Sequence, residues 1–155
     1  MAEVLEQLLQ EEQELQFTVF NEEVAWKLGS QLVEQALRSS LPVTIDIMRG
    51  SHQLFHASLP GTSADNDEWI KRKVRLVYRF GHSSFYMGQL LKSKGKSLEQ
   101  AYLIPESDYA AHGGCFPVLL KNTGMVGTIT VSGLPQEEDH KLVVQAIREY
   151  LTQEK

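Results

Sequence analysis

Cysteine is almost absent. Cys115 is the only one in the chain, so no internal disulfide and no cysteine-built metal site can form within one copy. Long apolar runs are missing too, which excludes a predicted bilayer-spanning helix. The opening MAEVLEQLLQEEQEL is acidic and amphipathic, with neither the basic flank nor the apolar block of a secretory leader, so a cytoplasmic location is expected. Positive charge is in deficit: 15 Lys and Arg stand against 20 Asp and Glu, a formal net charge of −5. General nucleic-acid binding, which draws its affinity from phosphate neutralisation, is therefore not expected. Glycine, proline and aromatic contents are ordinary, which argues against disorder and fibrous architecture. What is present, 155 residues of which 42% are hydrophobic, suffices for one domain over 1–155 around one core.

Hydrophobic spacing divides the chain into elements. Val4, Leu5, Leu8 and Leu9 share one face of an N-terminal amphipathic helix over residues 2–15, a surface or partner-binding helix. LQFTVF reads as a short edge strand. Asn21 caps a helix with the stripe Ala25, Leu28, Leu32 and Ala36, ended by SSLP at Pro42. PVTIDIMRGSHQLFHASLPG alternates as a hairpin around Gly50 and Ser51. A long helix starts at Asp65 or Asn66 and buries Ile70, Val74 and Val77. It breaks or kinks at Gly81, and Gly95 caps the following helical stretch. After a short helical turn and an ordered loop, CFPVLLK and MVGTITVSG form a second hairpin around Asn122-Thr123-Gly124. The closing helix enters at Pro135 with Glu137, Glu138 and Asp139 at the positive end of its dipole. Its buried side carries Leu142, Val143, Ala146, Ile147, Tyr150 and Leu151. Two hairpins in one antiparallel sheet covered by helices give an α+β fold.

Residues with chemical potential fall on the long helix and near glycines. Lys71, Arg75 and Arg79 share a face, either as an anion-binding strip or as a solvated helix face; the solvated face is preferred. No histidine pair has the HExxH context of a zinc site. His52 and His56 have same-side strand spacing, roughly 13 Å apart, too far for one metal. His82 follows Gly81 and His112 precedes Gly113-Gly114, so either can project from a flexible junction into a pocket. Cys115 reads as a buried strand residue rather than a nucleophile paired with His112. The glycines of AAHGGCFPVLLKNTGMVGTITVSG contain neither dinucleotide nor P-loop spacing. Gly124 serves a turn, Gly127 a close backbone approach or bulge, and Gly133 the exit into the last helix.

The segment GGCFPVLLKNTGMVGTITVSGLPQEEDHKLVVQAI, together with the basic helix IKRKVRLVYRFGHSS, resembles the closing motif of the haem-degrading-domain family (HbpS-like, GlcG-like and PduO C-terminal-like proteins). The likeness extends over residues 20 to 152 and is nearest to the family's small uncharacterised cytoplasmic branch. It implies a profilin-like antiparallel sheet of about five strands in α/β/α layers, and assembly into a homo-oligomer. The residues that carry over are Gly113, Gly114, Pro117, Gly127, Ser132 and Gly133, with Lys73 on the long helix. Haem is the cofactor the resemblance implies for some members, whether bound or broken down. Here Arg72, Lys73 or Arg79 would meet its propionates and His82 or His112 its iron. A different small anionic ligand, or a non-enzymatic role in binding protein partners, stays open beside it.

Overall fold

Asn21 and Ser63 set where the two central helices begin. In the computed structural model, which describes residues 1–154, the Asn21 side chain accepts a hydrogen bond from the Val24 N–H, and Ser63 forms a capping box with Asn66. The eleven elements are α1 (Ala2–Glu14), β1 (Gln16–Phe17), α2 (Glu22–Arg38), β2 (Thr44–Arg49), β3 (His52–Ser58) and α3 (Ala64–Phe80), then α4 (Ser84–Lys94), α5 (Leu98–Tyr102), β4 (Cys115–Leu120), β5 (Gly124–Ser132) and α6 (Gln136–Gln153). The α3 cap is therefore Ser63, ahead of the expected Asp65 or Asn66. Gly81 does not kink a continuing helix; it ends α3 in a left-handed cap, which its missing Cβ permits.

One five-stranded sheet, ordered β1-β4-β5-β2-β3, separates two helical layers. The expected α+β architecture is present, with one correction: β1 runs parallel to β4. That pairing is confined to Gln16–Leu119 and Phe17–Leu120, because the chain turns into the Asn21 cap four residues later. β4 is left as a free edge around Pro117, where a residue without an N–H is tolerated.

The two faces of the sheet differ in chemistry. Ile45, Ile47, Phe116, Val118, Ile129 and Val131 pack with α2 and α6 in the main core. The alternate residues Thr44, Asp46, Thr128, Thr130 and Ser132 are also buried, but on the α3 side. Register aligns His56, Asp46, Thr130 and Cys115 in one row across four strands. Beside this polar face, α3, α4 and α5 hold a separate apolar cluster around Leu76, Met87, Leu91 and Leu98. α1 docks against α4, so the N-terminal helix is a packed surface element.

Two bulges adjust the sheet. In β3 the register shifts opposite Ile47 and Met48, so Phe55 pairs with Ile47 whereas Gln53 pairs with Met48. The extra residue, Leu54, reverses the alternation. His56 consequently reaches Asp67 of α3 at 2.7 Å, while His52 pairs with Arg49, which bonds Glu22 of α2. The expected same-side spacing of the two histidines is thus overturned; they occupy opposite faces. The second bulge lies between Val118 and Leu119, next to Gly127. A Cβ on Gly127 would stand 2.2 Å from the Met48 carbonyl oxygen, so close approach of β2 explains this glycine.

Among the described residues, the buried Thr128 hydroxyl has no hydrogen-bond partner, whereas the Thr130 hydroxyl meets the Cys115 thiol. Replacing an orphaned buried hydroxyl by a methyl group removes a desolvation cost. Thr128→Val is expected to raise unfolding stability by about 1 kcal/mol, read as a higher urea midpoint at unchanged slope.

Candidate functional site

A lysine and an aspartate meet at the end of β5. Lys73 lies in the buried stripe of α3, at positions 70, 73, 76 and 77, and only 3% of its side chain is exposed. Its Nζ donates to the Val131 carbonyl at 3.2 Å and faces Asp139 Oδ2 at 3.5 Å. Asp139 is equally buried, and it accepts the Gly133 N–H at 3.3 Å and the Leu134 N–H at 3.0 Å. It lies in the acidic first turn of α6 as expected, and its side chain turns inward and binds the backbone of the β5–α6 connection. Burial pushes the Asp139 carboxyl up to about 6, against the opposing pull of Lys73. The Lys73 amine is moved down for the same reason, with Asp139 opposing.

Gly114 makes room for this pair. Its φ is +133°, and a Cβ there would come within 2.7 Å of Lys73 Nζ and 2.3 Å of the Val131 carbonyl oxygen. The neighbouring Gly113 N–H donates to Gln136 Oε1 at 2.9 Å, tying the glycine pair to the start of α6. The loop before it is fixed to α3 by Ala110 N–H donating to the Arg72 carbonyl.

Above the ion pair opens a cavity of about 390 Å³, bordered by Lys73, Asp139, Ser132, Gly133, Trp69 and His112. A second lobe of about 350 Å³ shares Trp69 and His112 and adds Arg72, Lys92, Lys96 and Tyr109. The two rings stand edge to face, 5.3 Å between centroids, and so form the partition between the lobes. Arg72 lies over the Trp69 ring with its Cζ at 4.2 Å from the centroid. Desolvation, and then the Lys73 charge, hold the His112 imidazole below its ordinary pKa, which favours its neutral form.

The fold therefore gathers Lys73, His112, Ser132 and Gly133 around one lobe, with Gly113 and Gly114 behind it and Arg72 in the adjoining lobe. Pro117 and Gly127 lie in the sheet, where they shape the backbone. Arg79 and His82 border neither lobe. Arg79 lies within 5.8 Å of the Tyr109 and Phe80 ring centroids. His82 Nδ1 meets Glu12 Oε1 at 2.7 Å, and the same carboxylate accepts the Ser83 N–H at 3.1 Å, so this histidine clamps α1 to the start of α4. The strip of Lys71, Arg75 and Arg79 is exposed, with Lys71 paired to Glu68 at 2.9 Å, in keeping with the solvated-face reading. Cys115 is fully buried and its thiol is pushed up to about 12, which makes it unreactive at neutral pH. No cluster of three metal-ligating side chains occurs among the described residues. No described helix is long and apolar enough to cross a membrane. Sequence reasoning missed Asp139 as a site residue, although it is in phase with Leu142, Val143 and Ala146 on the buried stripe of α6.

Residues 20–148 match the profile of the family described as haem degrading protein HbpS-like. The chain is 49% identical over 147 residues to a UPF0303 protein of Psychromonas ingrahamii, covering 95% of this chain and 92% of that one. A UPF0303 protein of Streptomyces coelicolor is 47% identical over 150 residues, covering 97% and 95% respectively. The crystal structure of Ybr137w protein superposes with a TM-score of 0.89 at 34% identity, over 96% of this chain and 88% of that one. The crystal structure of a PduOC:heme complex gives 0.70 at 17% identity, over 84% and 94%. HbpS gives 0.66 at 20%, over 88% and 92%. At those last two identities the likeness is one of fold.

Removing one member of the buried pair leaves the other uncompensated. Lys73→Met is expected to cost about 3 kcal/mol of unfolding stability, while Lys73→Met with Asp139→Asn, which removes the charge and keeps an acceptor for the Gly133 and Leu134 N–H groups, recovers most of that loss, measured by denaturant titration. The α1 clamp gives a pH signature. Hydrogen bonding to Glu12 raises the His82 pKa, so its contribution to docking is complete below the ordinary histidine value of about 6.5 and is lost as pH rises through the raised folded value. Hydrogen exchange of α1 amides should accelerate beyond the intrinsic base-catalysed trend across that window, and His82→Gln should abolish the excess.

Proposed function

The chain belongs to the HbpS-like haem-degrading-protein family, and from that premise we propose that it is a receptor for a small anionic ligand held in the two-lobed cleft around Trp69 and His112. The observation that carries this reading is the charge of the second lobe. Arg72, Lys92 and Lys96 border it against a single acidic residue, Glu106, in a chain whose net charge is −5. Arg72 is held over Trp69, with its Nε donating to the Glu68 carbonyl at 3.4 Å, which leaves its terminal nitrogens as donors for a carboxylate or phosphate. Each lobe has the size of a small-molecule pocket, and each is built on helix α3, whose position is fixed by the core.

The residues present do not fit a haem. A macrocycle needs a continuous apolar slot, whereas the Trp69–His112 partition divides the cleft and the first lobe offers only Trp69 and Leu134 as apolar walls. Lys73, the basic residue nearest His112 in that lobe, is already engaged by Asp139. A neutral His112 could serve as an iron ligand, but nothing around it provides the remaining face of the ring.

Calorimetric titration with lactate and with inorganic phosphate tests the reading. At least one should bind saturably, and Arg72→Ala should weaken that binding roughly tenfold or more, a loss of about 1.4 kcal/mol. Binding of neither, with a saturable Soret shift on equimolar hemin, would replace it by the haem reading.

A further inference from the structure

The lobe that contains Lys73 has a composition that simple anion binding does not require. Its only cation is buried, and it is matched by a carboxylate of equal burial. An arginine would serve a purely structural bridge better, since its charge survives burial and its planar fork bonds a carboxylate twice. A buried lysine instead presents a compact amine that can lose its proton. We propose that Lys73 is a carbonyl-reactive amine, which captures the carbonyl carbon of a small oxo acid as a protonated imine.

This inference rests on the anion-receptor reading and assigns its ligand class. The amine borders a cavity of about 390 Å³ and, among the described residues, makes two hydrogen bonds, to Val131 and Asp139. One donor position of the ammonium group therefore remains for a ligand. Asn66 and Gln136 border the same lobe and carry the amide donors for the acid's carboxylate. Asp139 Oδ2 at 3.5 Å is placed to take a proton from Nζ, while the Gly133 and Leu134 N–H groups keep the carboxyl in position. Burial drives both members of the pair toward their neutral forms, the amine down and the acid up to about 6. Cys115 offers no competing nucleophile, because its thiol is fully buried.

Nζ gives a proton to Asp139, and its lone pair forms the C–N bond while the carbonyl π pair moves to oxygen. Proton transfers through Asp139 convert that oxygen to water, which leaves as the C=N bond forms. An ammonium and a carbonyl thus become a protonated imine and one water, with no change of oxidation state.

The test uses the full-length protein, pyruvate as probe and sodium cyanoborohydride to reduce any imine, with intact-mass and peptide analysis. One reduced adduct per chain is expected on Lys73, absent in Lys73→Arg, and formed at least about 100-fold more slowly in Asp139→Asn. Adducts on the exposed Lys71, Lys92 or Lys96 with Lys73 unmodified would overturn the proposal. That wild-type peptide map decides the matter even where a variant fails to fold. Lactate, which keeps the carboxylate and lacks the carbonyl, separates the two readings. Lactate binding without a pyruvate adduct at Lys73 overturns this inference and leaves the receptor intact. An adduct at Lys73 in a protein that binds neither lactate nor phosphate supports the amine and refutes the anion lobe.

Discussion

The buried contact between Lys73 and Asp139 is where the two helical layers meet. α3 covers the polar face of the sheet and α6 the apolar face, and the ion pair joins them around the end of β5. Desolvating two charges costs several kcal/mol each, and their attraction offsets this only when other hydrogen bonds complete the environment. Here the Val131 carbonyl and two N–H groups do so, and Gly114 supplies the space. The position of β5, the turn into α6 and the glycine pair are thus all set by one amine and one carboxylate. Those are also the groups that border the cleft.

The sheet explains why such a pair can exist there. Its α2–α6 face is apolar throughout, and it supplies the hydrophobic driving force for the fold. The opposite face is a lattice of Thr, Ser and Asp side chains under α3, which provides less hydrophobic stabilisation but accommodates polar groups at depth. Among the described residues the Thr128 hydroxyl remains unsatisfied in that layer, a local cost of placing a polar surface beneath a helix. Stability is drawn from one face while chemistry is available on the other. α1 adds to this arrangement from outside, fastened by Glu12 to His82 and Ser83 and by Glu11 to His140 at 3.1 Å.

Family membership and ligand identity are separate matters in this molecule. Common topology persists among proteins that share a fifth or less of their residues, because alternation, turns and close glycine contacts suffice to specify it. In the proposed receptor, ligand choice rests instead on a few side chains, here Arg72, Trp69, His112, Lys73 and Asp139, which border the divided cleft.

The sequence alone determined the elements and their class. The stripes of α2 and α6, the Asn21 cap, the Asn122 turn and the turn glycine at 124 follow from local spacing and backbone sterics, which act within a few residues. It also contained Lys73 and Ser132 as marked positions through a motif. Other features required the tertiary structure. One bulged residue in β3 sends His52 and His56 to opposite faces, and no periodicity reveals an insertion whose partner strand is unknown. The parallel pairing of β1 depends on β4, about a hundred residues later. His82 and His112 looked alike beside their glycines, yet one clamps a helix and the other divides a cleft. Lys73 and Asp139 each stood as a charge within an apolar stripe, a signal legible on either helix. That the two charges answer each other across 66 positions was decided only by packing, because burial makes a charge seek its partner and the chain's path settles which partner is within reach.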